Sequence, residues 1–231
     1  SKKLCIDVIT NNNIDGKNIN VIEKSGNNCA QIAKFIKENK SSNYIMDYLD
    51  VLSPKVLYTS SASNLNSMMP SGDNIKTQKS FYSDVNYKNY ILNPQLSDEL
   101  ITPWRSYFEK KYTDLENKAL NDIKVLINYV KTNITLIPDI ENYSSNPISP
   151  IDVDKLKIAD KYSRDLYFIA LCRTFGIPAQ YSFNFDKPLI FDGSDWKTVC
   201  IENGDLCIEN YSATLVLLEE KDPITTIKYG T

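Results

Sequence analysis

The sequence predicts an α+β fold, and three observations carry that prediction. Apolar residues recur at helical spacing through the first two thirds of the chain. Short alternating segments, each bounded by turn residues, fill the last third. Between them lies one stretch, Ser163–Phe175, that is apolar on nearly every side. A helix of that kind belongs in the centre of a domain. Helices first and strands afterwards give segregated α+β layers rather than an alternating βαβ pattern.

Taken in order, residues 3–10 and 18–24 read as two strands around an Asn-rich turn at Asp15-Gly16. Cys29, Ile32, Ala33 and Ile36 then mark one face of an amphipathic helix. A second helix is expected over 43–52, stopping before Pro54. Residues 60–79 are rich in Ser, Asn and Gly, have no sustained period and read as an exposed loop. Trp104, Tyr107 and Phe108 fall at i, i+3 and i+4, the spacing of helical core residues. Thr113-Asp114-Leu115-Glu116 has the form of a capping box. It opens one long helix striped by Leu115, Ala119, Ile123, Ile127 and Val130, which Pro138 ends. Pro147 and Pro150 bracket a rigid connector. Gly176 and Pro178 stop the central helix. Strands are expected at 180–185, 189–191, 196–201, 206–209 and 213–219. No internal repeat is present. The expected domain organisation is an N-terminal helical and hairpin segment over 1–89, with its loop, and a second domain over 90–231.

Composition narrows the function. The 231 residues carry 26 Lys plus Arg against 29 Asp plus Glu, a net charge of -3, which does not favour a nucleic-acid partner. Only Arg105, Arg164 and Arg173 are arginines. There are seven glycines and no phosphate-cradling loop. No apolar run approaches the ~20 residues that span a bilayer, so no transmembrane segment is expected. The amino terminus has no signal-like apolar stretch, which fits a cytoplasmic or an already processed chain. Strand-like residues running up to Gly230-Thr231 suggest a piece of a longer protein. His is absent altogether. That removes the usual general base, the commonest metal ligand and the near-neutral pH switch. With no C-x-x-C pair either, neither a metal site nor a cofactor is expected.

Cys200 and Cys207 flank Glu202-Asn203-Gly204-Asp205, where Asn-Gly suits a two-residue hairpin turn. That register sets Cys200 opposite Cys207, within reach of a disulfide. A cross-strand bridge and two reduced thiols are both compatible with the spacing.

The segment Ala159–Gln180 resembles the central helix of the transglutaminase-like superfamily, whose signature ends in R-x-x-G-I-P-A-R. Here that element is Arg173 to Gln180, with Gln180 in place of the last Arg. Asn93-Pro94, Pro103-Trp104-Arg105, Pro147-Ile148-Ser149-Pro150 and Asp160-x-x-Ser163-Arg164-Asp165 extend the likeness to large extracytoplasmic transglutaminase-like proteins of Bacteroidetes. It covers roughly residues 90–201. The resemblance implies a papain-like core, with a central helix packed on an antiparallel sheet. It also implies an extracytoplasmic setting, periplasm or cell surface.

In active members a Cys opens the helix, where the positive end of the dipole favours a thiolate. A His on a neighbouring strand deprotonates it. Counting back from Arg173 puts Lys161 at the Cys position and Ser194, two residues before Trp196, at the His position. Both are replaced, so the catalytic set implied by the resemblance is empty. Cys172 lies about three turns into an apolar helix and is expected to be inert. A nucleophilic Lys161 would need its pKa depressed by the helix end. Asp160, Ser163, Arg164 and Asp165 read as a helix cap with a local ion-pair cluster, or as a remodelled polar pocket together with Tyr162 and Trp196.

The expected function is a catalytically inactive transglutaminase-like module that binds a protein, peptide or glycan. Two alternatives stand beside it. One is an active enzyme, either of the transglutaminase/cysteine-peptidase-like group with a non-standard site or of another class, such as a glycan hydrolase using two carboxylates ~5–9.5 Å apart. The other is a carbohydrate- or peptide-binding protein that uses its aromatic residues, Trp196 foremost.

Overall fold

The structure is a computed structural model that describes residues 19–42, 44–71, 81–97, 102–138 and 146–207. The expected strands over 3–10 and 213–219, and the second half of 206–209, lie outside these residues.

The N-terminal part is helical. It comprises α1 (Ile19–Lys24), α2 (Cys29–Glu38), α3 (Ile45–Asp50), α4 (Pro54–Thr59), α5 (Ala62–Met68) and α6 (Asp84–Tyr87), which runs into a π-helical turn at Lys88–Leu92. Two expectations are overturned here. Residues 19–24 form a helix where a strand was expected, because Val21 and Ile22 bury against α2 and α4. Tertiary burial outweighs the weak β preference of a short β-branched run. Of the expected loop over 60–79, residues 72–79 lie outside the described residues, and the described part is not simply loop. Ser61 caps α5 by accepting from the Asn64 N–H at 3.1 Å, and Ala62, Leu65 and Met68 are buried. Pro54 likewise opens α4 at its first position, behind the Ser53 cap.

The middle of the chain gives α7 (Trp104–Lys111), α8 (Thr113–Asn121) and α9 (Ile123–Asn133). The expected single long helix is broken at Asp122, whose backbone is extended. Its carboxylate accepts from the Lys124 N–H at 3.0 Å and recaps the chain. The capping box does not form. Thr113 is already helical, and Tyr112 precedes it without a side-chain cap. Strand β1 (Thr135–Leu136) pairs in parallel with β2 (Ile158–Ala159), and α10 (Pro150–Leu156) lies between them.

The central helix α11 (Lys161–Thr174) is buried continuously from Ser163 to Thr174. Four antiparallel strands follow in the order β3 (Ala179–Ser182), β4 (Lys187–Phe191), β5 (Trp196–Cys200) and β6 (Asp205–Leu206). The first two pack on α11. The fold is therefore α+β, with a helical majority and a small antiparallel sheet.

At the C-terminal end of α11, Gly176 takes a left-handed φ of 78° and the Ile177 N–H turns back to the Cys172 carbonyl at 2.8 Å. Two arginines solvate carbonyls at this end. Arg105 donates to the Arg173 and Ile91 carbonyls at 2.8 and 2.6 Å. Arg173 donates to the carbonyls of Asn93, Gln95 and Ala179. Cations here complement the negative end of the helix dipole. Trp104 packs in the core beside them. Buried residues from Val21 to Ile201 form one apolar cluster, and residue 89 falls inside the π-helical turn.

Candidate functional site

The chain reaches α11 through Asp160, which caps it in extended conformation. The Asp160 carboxylate accepts from the Ser163 N–H at 2.8 Å and from the Ser163 hydroxyl at 2.6 Å. That hydroxyl accepts in turn from the Ile148 N–H at 2.8 Å. The next turn of helix holds an alternating chain of charges. Lys161 Nζ lies 2.9 Å from Asp186 and 3.4 Å from Asp165. Arg164 bridges Asp165 at 3.1 Å and Glu202 at 2.5 Å. Asp186 comes from the β3–β4 turn with a left-handed φ of 49°, and Glu202 from the β5–β6 turn. Three carboxylates thus meet two cations around one helix N-terminus.

The electrostatics follow from burial. Asp165 is 1% exposed, and desolvation pushes its carboxyl up to about 6 although Arg164 and Lys161 pull the other way. For Lys161, burial disfavours the ammonium, but Asp186 and Asp165 outweigh it and raise the pKa. The depressed, nucleophilic lysine considered from sequence is thereby reversed: Lys161 is a held cation.

Ser194 is not part of this cluster. Strand β3 runs back along α11, so the β3–β4 turn sits at the N-terminal end of the helix, as the Lys161–Asp186 pair shows. The β4–β5 turn lies at the other end, where Phe191 pairs with Pro178. The helix between them is about 20 Å long at ~1.5 Å per residue. Ser194 instead closes that turn. Its N–H and hydroxyl donate to Asp192 Oδ1 at 2.9 and 2.8 Å, and with the Asp195 N–H they hold the Asp192 carboxyl down at about 2. Trp196 belongs to the same far end, half-buried against Tyr90 at 4.8 Å and Phe191 at 5.6 Å. The aromatic group beside Lys161 is a different one. Tyr162 stacks edge-on to Tyr181 at 4.8 Å, Tyr181 to Phe183 at 5.2 Å, and Phe183 is 79% exposed. Tyr181 also donates its hydroxyl to Asp186.

Cys200 and Cys207 form a disulfide, with Cα atoms 5.2 Å apart. The hairpin differs from the two-residue form expected. Cys200 pairs with Asp205 and Val199 with Leu206 across a four-residue turn, so the bridge runs diagonally. Gly204 supplies that turn's left-handed φ of 75°. Lys187 Nζ lies 3.5 Å from the Cys200 sulfur and 3.6 Å from that of Cys207. Cys29 and Cys172 are buried free thiols, and burial raises the Cys172 pKa well above the ordinary value. Neither can act on a substrate from the surface.

A second polar centre was not read from the sequence. Asp154 on α10 has no exposed side-chain surface. It accepts from Lys111 at 2.5 Å, Lys157 at 2.7 Å, Tyr107 at 2.7 Å, Tyr167 at 3.1 Å and the Tyr112 hydroxyl. Burial alone would raise its pKa; these donors outweigh it and hold the carboxyl far below the usual range. Tyr112 and Tyr129 continue to a cleft of about 600 Å³. The signal was present only as scattered residues, because Asp154 lies 42 or more positions from Tyr107, Lys111 and Tyr112.

Among the described residues, no group of three or more Cys, Asp or Glu is placed to hold a metal ion, and no helix is long and apolar enough to cross a membrane. No family model, curated protein or solved structure matches the chain.

Proposed function

We propose that this chain is a non-catalytic transglutaminase-like module that binds or scaffolds an extracytoplasmic partner. One observation carries the reading. Lys161, the residue that aligns with the family's nucleophile, is locked between Asp186 and Asp165 at the start of the central helix. A lysine held as an ammonium has no free lone pair with which to attack a carbonyl. The support for a transglutaminase-like core is the helix α11, buried along its length and covered by antiparallel strands directly after it. The Cys200–Cys207 disulfide supports an oxidising compartment.

The ligand face is proposed at the same helix end, where Tyr162, Tyr181 and Phe183 form an aromatic rim beside the charge chain. Aromatic rings with adjacent carboxylates suit a peptide or a glycan. The Trp196 contact considered from sequence is set aside, since its ring packs against Tyr90 and Phe191. The test is direct. Purified protein is assayed for glutamine deamidation, transamidation and peptide hydrolysis, then screened on glycan and peptide arrays. No activity above blank is expected, with array binding weakened at least tenfold by Phe183→Ala. Turnover that Lys161→Ala abolishes overturns the reading.

A further inference from the structure

The cleft of about 600 Å³ lies between the α7–α8 junction and α9, and Tyr112, Asp114, Leu115, Lys118, Val125 and Tyr129 line it. Its floor is the outer end of the Asp154 centre. Tyr129 donates to the Tyr112 hydroxyl at 2.9 Å, and Tyr112 donates to Asp154. Lys111, also in the wall, gives its ammonium to Asp154 at 2.5 Å and sits 5.2 Å from the centre of the Tyr112 ring. These groups hold one another, so the floor is fixed before anything enters. The Tyr129 hydrogen is directed at Tyr112, which leaves the Tyr129 oxygen as an acceptor toward the cleft.

The other two charges in the wall are not engaged in this way. Asp114 and Lys118 stand four positions apart on α8, acid before base, the order that favours an ion pair along a helix. Among the described residues, neither side chain has an ion-pair or hydrogen-bond partner. Both line the cleft, which therefore presents an anion and a cation separated by about 6 Å of helix. Leu115 and Val125 add an apolar wall, with Val125 36% exposed. The volume is that of a small-molecule site, which spans about 300–1,000 Å³.

We propose that this cleft binds a small zwitterion, an α-amino acid with an apolar side chain. The ligand's ammonium meets Asp114 and the Tyr129 oxygen, its carboxylate meets Lys118, and its side chain lies against Leu115 and Val125. A simple anion would be opposed by Asp114 and a simple cation by Lys118, so the wall selects a ligand that carries both charges. The site uses none of Tyr162, Tyr181 and Phe183. It stands or falls apart from the ligand face proposed above.

The whole chain is titrated calorimetrically at neutral pH with L-leucine, with N-acetyl-L-leucine, which keeps only the carboxylate, and with L-leucinamide, which keeps only the ammonium. L-leucine is expected to bind with Kd below about 1 mM, and both analogues about tenfold more weakly, since each loses one charge-assisted contact. This comparison needs no variant to fold. Lys118→Gln should weaken L-leucine about tenfold and leave L-leucinamide unchanged. Asp114→Asn should weaken L-leucine by a similar factor and leave N-acetyl-L-leucine no weaker. Both positions are exposed, and circular dichroism checks that the variants keep the fold. Phe183→Ala should bind L-leucine as the parent does. The proposal is overturned by the absence of saturable L-leucine binding up to about 10 mM. Equal affinity for the three compounds, binding that neither charge substitution changes, or binding lost in Phe183→Ala also overturns it.

Discussion

Replacing Asp154 with alanine removes one acceptor from five donors at once. Its two oxygens hold Tyr107 and Lys111 of α7, Tyr112 at the α7–α8 junction, Lys157 after α10 and Tyr167 of α11. The two lysines are 40% exposed, so they regain water on loss of the carboxylate and contribute little to the cost. Tyr167 cannot, being 0% exposed, while Tyr112 lines the cleft and keeps its bonds to Tyr129 and Tyr167. Orphaned buried hydroxyls cost about 1–3 kcal/mol each. Breaking a buried charged centre from one side costs about 3–5 kcal/mol, and we expect that range here. For a chain of this size each kcal/mol moves Tm by about 2–4 °C, so the loss is about 6–20 °C at pH 7. Calorimetry or circular dichroism reads it directly. The pH dependence adds a second check. The Asp154 pKa is lower in the folded state than in the unfolded chain, so the native state prefers the ionised form. Its stabilisation is present above about pH 4 and lost as pH falls toward the folded value. The difference between parent and Asp154→Ala should shrink below pH 4. A cost under about 1 kcal/mol at pH 7, or a difference that does not shrink in acid, refutes the reasoning.

Asp165 should behave with the opposite sign. Its folded pKa of about 6 lies above the unfolded value of 3.8, so ionisation penalises the native state as pH rises from about 4 to 6. Chemical denaturation should show Asp165→Asn gaining on the parent by up to about 3 kcal/mol across that window; a flat difference contradicts it. Leu65→Ala should cost about 2–5 kcal/mol, as for a fully buried leucine, whereas an exposed loop would lose almost nothing. Gly204→Ala should cost about 2 kcal/mol or more, because a Cβ there meets Asn128 Oδ1 at 2.3 Å in addition to the left-handed backbone. Adding Asn128→Ala should recover the steric part, and equal stability of the single and double variants would count against this account.

Much of the helical framework was legible. The i, i+3, i+4 spacing of Cys29, Ile32, Ala33 and Ile36, and of Trp104, Tyr107 and Phe108, marks real helices because one-sided burial forces that period. The Gly176-Ile177-Pro178 stop also read correctly, since a left-handed residue needs glycine. Short elements did not read. Helix α5 has only seven residues, so its Ser61 cap and three buried side chains were lost among Ser and Asn. The break at Asp122 was hidden because an apolar stripe continues across it on both sides. At the site, the Asp160 cap and the Arg164–Asp165 pair were local and therefore visible. Asp186, Glu202 and Lys187 were not, because they arrive from turns and strands 25 or more positions from the helix start.

By itself, the sequence determined an α+β chain built on one thoroughly apolar helix, without histidine and with a lysine at the start of that helix. Those properties are composition and local periodicity, which a chain carries before it folds. Only the tertiary structure decided what that lysine does. Packing β3 and β4 back along α11 brings the Asp186 turn to the helix N-terminus and carries Ser194 to the far end. The same packing sets Lys187 against two sulfurs, while α7, α10 and α11 close five donors around Asp154. Charge networks depend on distance in space, and distance in space is set by how the strands return along the helix.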